Sequence, residues 1–199
     1  MKLYYSKGAC SLADHIALRE AAFDFELERV DLKEKRTESG DDYTAINPKG
    51  YVPALKIDTG EILSENIAVL DWIATQKPEL APSGAMGRTH LLEALAYIST
   101  EVHKSFKPIF TPGSSDEDKA KAGEMVAKRL TYLAETMKGD YLLGDTMTVA
   151  DAYLFVMLLW ARKNAIAIRD PLPAWFERMM ARPAVAAALE AEGLGGRKE

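Results

Sequence analysis

Residues 1–30 decide the fold and read MKLYYSKGACSLADHIALREAAFDFELERV. Residues 2–6 are rich in aromatic and apolar side chains and predict a strand, whereas residues 11–22 place apolar side chains at helical spacing. Residues 25–30 predict a half-buried strand, because apolar Phe25 and Leu27 alternate with Glu26 and Glu28. The opening of the chain therefore predicts a strand–helix–strand unit.

The next segment extends this unit. After a polar stretch (31–42) and a turn-rich loop, residues 52–57 and 61–63 predict two strands joined by the turn Asp58-Thr59-Gly60. Residues 66–75 then predict a helix. The predicted order is βαβ followed by ββα, and we assign residues 1–76 to a first domain.

A linker and an all-helical region follow. Prolines and glycines interrupt residues 77–87, as in linkers, and the chain is helical in pattern from there. The predicted helices are 88–110, 118–137, 149–161, 174–181 and 184–191. Helix 149–161 is apolar almost all round, which predicts a buried central helix, and Thr148 with Asp151 predicts its capping box. Residues 88–199 are the predicted second domain.

Composition excludes several classes of function. The 199 residues are 48% hydrophobic and carry a net charge of −5, with both signs spread along the chain, which argues against nucleic acid or an anionic membrane surface as partner. The first residues contain no apolar signal core, and no apolar run is long enough to span a membrane, so we expect a cytoplasmic location. Cys10 is the only cysteine, and the sequence predicts no metal site.

Cys10 lies where the first strand gives way to the first helix. Unpaired N–H groups and the helix dipole favour a thiolate there by roughly one pKa unit, although a lone cysteine is also commonly a buried structural residue. No second cysteine follows three residues on, so thiol exchange through Cys10 requires an outside thiol. Glutathione is the small-molecule candidate.

Two further segments of the first domain have the chemistry of a ligand site. Val52-Pro53 begins a strand, where the proline is either an ordinary strand-start residue or a cis residue that lets a ligand backbone pair with Val52. Ser64-Glu65-Asn66 precedes a helix, whose N–H groups bind carboxylates while Glu65 accepts from an ammonium group. The alternative reading is an Asn66 N-cap without a ligand.

Motifs along nearly the whole chain resemble the beta class of bacterial glutathione transferases. The motifs are Met1–Tyr5, Ala9–Leu12, Asn47–Gly50, Val52–Leu55, Ser64–Asn66, Glu101–Lys104 and Thr148–Asp151. Cys10 together with His103-Lys104 marks this class. The resemblance implies the glutathione transferase fold, a thioredoxin-like α/β N-terminal domain plus an all-α C-terminal domain, and usually a homodimer.

The resemblance also implies a sulfur site. Cys10 is similar to the class cysteine that contacts the glutathione sulfur and forms a mixed disulfide with it, and His103 to the histidine near that sulfur. Helical spacing alone favours a structural role for His103. Asp14 departs from the class, and its charge would modestly oppose a Cys10 thiolate. The neighbouring residues implied at the site are Ser99, Lys104, Ser105 and Phe106.

The rest of the tripeptide is assigned by the same resemblance. Lys35 is implied at the glycyl carboxylate, and Val52, before a presumed cis Pro53, at the cysteinyl backbone. Glu65 and Asn66 are implied at the γ-glutamyl end. Asn66 replaces a commoner small residue, and we expect its amide to reach the ligand carboxylate.

These assignments predict a glutathione transferase with glutathione as co-substrate. Its thiolate would attack a hydrophobic electrophile near Phe106 and Phe110, or Cys10 would exchange with a glutathione disulfide. The alternatives are a non-enzymatic binding protein of the same fold, as in the stringent starvation proteins, and a specialised dehalogenase or disulfide reductase.

Overall fold

The computed structural model describes residues 1–195, in which a five-stranded mixed sheet precedes a set of helices. The sheet order is β3-β2-β1-β4-β5; β1 and β2 are parallel and the other pairs are antiparallel. This topology confirms the predicted α/β first part. The strands are β1 (Lys2–Tyr5), β2 (Glu26–Asp31), β3 (Arg36–Thr37), β4 (Ala54–Lys56) and β5 (Ile62–Ser64).

Three α-helices accompany the sheet and the others follow it, which confirms an all-helical second part. Position 196 onward of the predicted second domain lies outside the described residues. None of the helices within residues 1–195 is long and apolar enough to cross a membrane. The helices are α1 (Ser11–Glu20), α2 (Tyr43–Ile46), α3 (Asn66–Gln76), α4 (Gly87–Tyr97), α5 (Lys107–Phe110), α6 (Asp116–Thr136), α7 (Val149–Lys163), α8 (Leu172–Met180) and α9 (Pro183–Ala191).

The polar stretch 31–42 differs from its prediction, because it contains β3 and leads into α2. Strand β3 has two residues and pairs with the end of β2. A strand of this length shows no alternation, so its sequence pattern cannot reveal it. Helix α2 is one turn, and the Asp42 side chain caps it by accepting from the Thr44 N–H at 2.9 Å.

The predicted helix 88–110 is irregular. Helix α4 ends at Tyr97, a π-helical turn covers Ile98–Val102, and a 3₁₀ turn covers His103–Phe106 before α5 begins. A π turn inserts a residue into the helical repeat and changes which side chains share a face. Such turns are frequent at functional sites, and this one leads directly to His103.

Helix α7 forms the centre of the core, as predicted. Its residues from Val149 to Leu158 are all buried. The capping box is confirmed, since the Asp151 carboxylate accepts from the Thr148 N–H at 2.8 Å and from its hydroxyl at 2.8 Å. The same carboxylate also accepts from the Leu142 N–H at 2.8 Å and joins a preceding loop to the helix.

Buried bonds join the C-terminal segment to the loop before α1. The buried carboxylate of Glu192 accepts from the Gly8 N–H at 2.8 Å and lies 2.9 Å from His15 Nδ1. Arg19 Nε donates to His15 Nε2 at 2.8 Å, so Nδ1 carries the proton and donates to Glu192. The Trp160 indole donates to the Gly8 carbonyl at 2.8 Å. Both polar groups of Gly8 are therefore held by the helical part.

We expect Glu192→Ala to lower the free energy of unfolding by about 3 kcal/mol, because it leaves two buried donors unsatisfied at about 1–3 kcal/mol each. Urea denaturation followed by circular dichroism measures the change. Glu190→Ala, an exposed position on α9, is the matched control and should change stability by under about 0.5 kcal/mol. Equal losses for the two variants would contradict a structural role for the Glu192 contacts.

Candidate active site

Two cavities meet at the start of α1. One, of about 790 Å³, extends along α3 and the irregular helix after α4. The other, of about 1010 Å³, extends along the end of α7 towards α8 and the C-terminal segment. We name them the α3-side cavity and the α7-side cavity. The residues that line both are Cys10, Tyr51, Val52, His103 and Phe110.

Cys10 stands immediately before α1, and its Sγ lies 3.5 Å from the Val52 carbonyl oxygen, to which the thiol donates. The pKa of Cys10 is raised to about 12, mainly by burial and also by the nearby Asp14 carboxyl, whereas the N–H groups of Cys10 and Ser11 lower it. The prediction that the helix start gives a Cys10 thiolate is therefore wrong for the unliganded protein. The thiol is a proton donor at neutral pH.

Asp14 lies one turn into α1 and is fully buried. Its Oδ2 accepts from Asn66 Nδ2 at 2.8 Å, and Nδ2 also donates to the Cys10 carbonyl at 2.9 Å. Burial raises the pKa of Asp14 well above its ordinary value. The negative charge of Asp14 in turn raises the pKa of the Cys10 thiol, in the direction expected from the sequence. The expectation that the Asn66 amide reaches a ligand is wrong for the unliganded protein, because both of its N–H groups are bonded to the Cys10 carbonyl and to Asp14.

Glu65 precedes α3 with a φ of 75°, in the left-handed region. Such backbone strain in a non-glycine residue costs about 1–3 kcal/mol and is concentrated at ligand sites. The Glu65 carboxylate accepts from Lys49 Nζ and from the Tyr51 hydroxyl at 2.6 Å. The Lys49 hydrogen bond, followed by that of Tyr51, lowers the pKa of Glu65. A charged acceptor therefore stands beside the first N–H groups of α3.

The loop before β4 supplies the next side of the α3-side cavity. The Val52–Pro53 peptide bond is cis, as presumed, and both residues line this cavity. Lys35 lines neither cavity; its Nζ donates to the Gly50 carbonyl at 2.7 Å, two residues before Val52. The ligand role of Lys35 stays a prediction.

His103, like Cys10, lines both cavities. Its Nδ1 lies 2.7 Å from the Tyr153 hydroxyl. Burial, with a contribution from Lys104, lowers the pKa of His103 to about 4, and burial raises the pKa of Tyr153. The tyrosine therefore donates to Nδ1 of a neutral imidazole, which leaves Nε2 as an N–H donor.

The other residues predicted near His103 divide into two groups. Ser99 and Lys104 line the α3-side cavity. Ser105 and Phe106 line neither cavity, which corrects their predicted position at the ligand. The Ser105 hydroxyl donates to the Glu101 carbonyl, and Phe106 is fully buried beneath Phe110 with ring centroids 5.8 Å apart.

Comparisons with known proteins match this architecture. The family model "Glutathione S-transferase, N-terminal domain" matches residues 9–76, and "Glutathione S-transferase, C-terminal domain" matches residues 97–183. Glutathione S-transferase GstA of Escherichia coli O157:H7 is 45% identical over 98% of this chain and all of that protein. The chain belongs to the glutathione S-transferase family.

Solved structures of the glutathione S-transferase family agree with this assignment. A sphingomonad glutathione S-transferase complexed with glutathione has a TM-score of 0.92 and 48% identity, covering 98% of this chain and 100% of that one. The bacterial beta class enzyme of Sphingomonas chungbukensis has a TM-score of 0.89 and 46% identity, with the same coverage. The resemblance to the beta class is confirmed.

Three aromatic residues of this glutathione S-transferase site escaped the sequence interpretation. Tyr51 and Tyr153 line the α3-side cavity, and Trp160, which falls within the predicted buried helix 149–161, lines the α7-side cavity. A tyrosine within an otherwise apolar buried helix needs a polar partner. The sequence therefore contained an indication that Tyr153 has such a partner. Within residues 1–195, no group of three His, Cys, Asp or Glu side chains could hold a metal ion.

We expect Cys10 to react slowly with iodoacetamide in the native protein. With a pKa of about 12, the thiolate fraction at pH 7.5 is tiny, so labelling should be at least about 100-fold slower than in guanidinium chloride. Mass spectrometry measures the rate unambiguously because Cys10 is the only cysteine. Native labelling as fast as in the unfolded chain, or a rate that stops rising below pH 8, would contradict the buried thiol.

We expect nuclear magnetic resonance to give His103 a pKa of about 4, with His103→Gln assigning the signal. The unfolded chain, with a histidine pKa near ~6.5, binds the proton first, so acid favours unfolding. The stability of the wild type relative to His103→Gln should fall by about 3 kcal/mol as the pH drops from 7 to 4. A relative stability that stays constant or rises over this window would show that the imidazole is not held neutral.

Proposed function

We propose that the protein binds glutathione in the α3-side cavity and joins the glutathione sulfur to a hydrophobic electrophile in the α7-side cavity. One observation carries the proposal: the start of α1 and the His103 donor meet at the junction of the two cavities. A sulfur bound there faces polar donors on one side and an apolar space on the other. The volume of about 790 Å³ lies within the usual range for small-molecule sites.

The α3-side cavity presents complementary groups to the γ-glutamyl end. The N–H groups that begin α3 have no acceptor within the helix and favour a carboxylate. The Glu65 carboxylate beside them favours the ammonium group, which then shares it with Lys49 and Tyr51. Asn66 contributes its backbone N–H, since its amide is bound to α1.

The remaining parts of the tripeptide extend towards the loop before β4. Val52 offers its backbone to the cysteinyl residue beside the cis Pro53. Lys35 would bind the glycyl carboxylate, and for this its ammonium group must leave the Gly50 carbonyl.

The glutathione sulfur is stabilised as a thiolate by donors. Two adjacent thiolates repel each other, so a protonated Cys10 is the better neighbour for an ionised glutathione. Cys10 turns its S–H from Val52 to the bound sulfur, and His103 supplies Nε2–H. A decrease of the glutathione pKa from ~8.5 to ~6.5 raises the thiolate fraction at pH 7 from about 3% to about 75%.

The thiolate attacks an electrophilic carbon in the α7-side cavity. The sulfur lone pair forms the new C–S bond, and the leaving group departs with the bonding electrons, while the thiol proton passes to solvent. This route requires no Cys10 thiolate. Thiol exchange does require one, so the high pKa of Cys10 makes conjugation the main activity and exchange the minor one.

The experiment compares wild type, Cys10→Ala and His103→Gln with glutathione and 1-chloro-2,4-dinitrobenzene. We expect Cys10→Ala to keep conjugation within about 3-fold while it abolishes exchange with a mixed glutathione disulfide. His103→Gln should lower kcat/KM for conjugation by about 10-fold, because one donor to the thiolate is weakened. Equal loss of conjugation and exchange in Cys10→Ala would contradict the separate roles.

The binding-protein alternative is tested by retention on immobilised glutathione and by turnover. We expect free glutathione to elute the retained protein, and we expect the eluted protein to have conjugation activity. Retention without turnover towards any of several electrophiles or a disulfide would favour a binding protein.

We also propose a homodimer and a cytoplasmic location, which the resemblance to the beta class supports. Sedimentation equilibrium should give twice the 22.0 kDa of one chain, and cell fractionation tests the location.

A further inference from the structure

The α7-side cavity combines an apolar wall with positive charge at its rim. Three cations line it, Lys7, Arg162 and Lys163, and Glu177 is the one carboxylate that lines it among residues 1–195. The side chains of the wall include Phe110, Leu159, Trp160, Phe176, Met180 and Leu194.

One of the three cations is neutralised within the protein. Arg162 Nη1 lies 2.8 Å from Glu177 Oε1, and its guanidinium stacks 4.5 Å from the centre of the Phe176 ring. In the described part of the chain, no carboxylate lies within 4.0 Å of the ammonium group of Lys7 or Lys163. Among residues 1–195, the rim therefore carries two positive charges without a paired carboxylate, although the chain has a net charge of −5.

Both lysines are placed beside the aromatic wall and the sulfur site. Lys7 precedes Gly8, whose carbonyl accepts from the Trp160 indole. Lys163 follows Trp160 by three residues on α7, about one helical turn. A ring that packs against Trp160 next to Cys10 is thus within the field of both ammonium groups, and an apolar cleft focuses that field.

An uncharged aromatic ligand would need only the apolar wall. We propose that the second substrate of this cavity is an aromatic electrophile that carries a carboxylate or another anionic group, and that Lys7 and Lys163 bind this anion. The inference rests on the proposed function and narrows its substrate class. The thiolate forms the C–S bond, the leaving group takes the bonding electrons, and the anionic group is unchanged.

The kinetic test uses a matched pair of substrates, 4-chloro-3-nitrobenzoate and the uncharged 4-chloro-3-nitrobenzamide. The readout is the ratio of kcat/KM for the anionic substrate to kcat/KM for the uncharged one, so differences in intrinsic reactivity cancel between variants. We expect this ratio to fall roughly 5- to 10-fold in Lys7→Gln/Lys163→Gln, as for the loss of two partly exposed ion pairs. Added salt should lower the wild-type ratio in the same direction.

The control is Lys128→Gln/Lys138→Gln, which removes the same charge from exposed positions that line neither cavity. Its ratio should equal that of the wild type. An equal decrease in both double variants would assign the effect to net charge and overturn the proposal. A rise in KM for glutathione in Lys7→Gln/Lys163→Gln, with the ratio unchanged, would assign the lysines to the tripeptide and overturn it as well.

A binding measurement separates this inference from the proposed function. Quenching of Trp160 fluorescence by 3-nitrobenzoate and 3-nitrobenzamide, with Trp160→Phe as the signal control, needs no turnover. We expect the wild type to bind the benzoate at least about 3-fold more tightly and the double lysine variant to lose this preference. If conjugation is absent but the preference holds, the proposed function fails and the anion site stands. If conjugation occurs and the wild type shows no preference, the anion site fails alone.

Discussion

The site depends on the way the helical part holds the few residues before α1. Gly8 is bonded through its N–H to Glu192 and through its carbonyl to Trp160, so neither group is left to water. This attachment sets where α1 begins and thereby where Cys10 lies between the two cavities. A sulfur site between two structural parts requires such a constraint, because relative motion of the parts would separate Cys10 from His103.

Burial, more than the helix dipole, determines the chemistry of Cys10. The N-terminal dipole contributes about 1 kcal/mol, whereas an increase of the thiol pKa from 9.0 to about 12 corresponds to about 4 kcal/mol. The same helix start can still stabilise a ligand thiolate, because a bound sulfur enters from the cavity side and receives several donors. A neutral His103 and a protonated Cys10 together donate hydrogen bonds to the thiolate of a bound ligand, while the protein's own thiol stays uncharged.

The sequence predicted the βαβ and ββα succession, apart from β3 and α2, together with the central buried helix and the capping box, because each leaves a periodic or short-range pattern. It also placed Cys10, Val52, Glu65, Ser99 and His103 on one cleft, as the cavity linings show. It could not reveal what depends on packing between distant residues. The protonation of Cys10, the orientation of the Asn66 amide and the partnership of Tyr153 with His103 all follow from which side chains burial brings together. The π-helical turn at Ile98–Val102 likewise leaves no mark in a 3.6-residue repeat.

The Asn66 amide joins α1 to α3 through the Cys10 carbonyl and Asp14. The sulfur subsite at the start of α1 and the subsite for the amino-acid terminus at the start of α3 are therefore held at a fixed separation. A peptide in which cysteine is attached through an α-linkage is shorter by two backbone atoms than the γ-linked form. Such a peptide reaches one of these two subsites but not both. The Asn66 side chain thereby makes the cleft selective for the γ-linkage of its ligand.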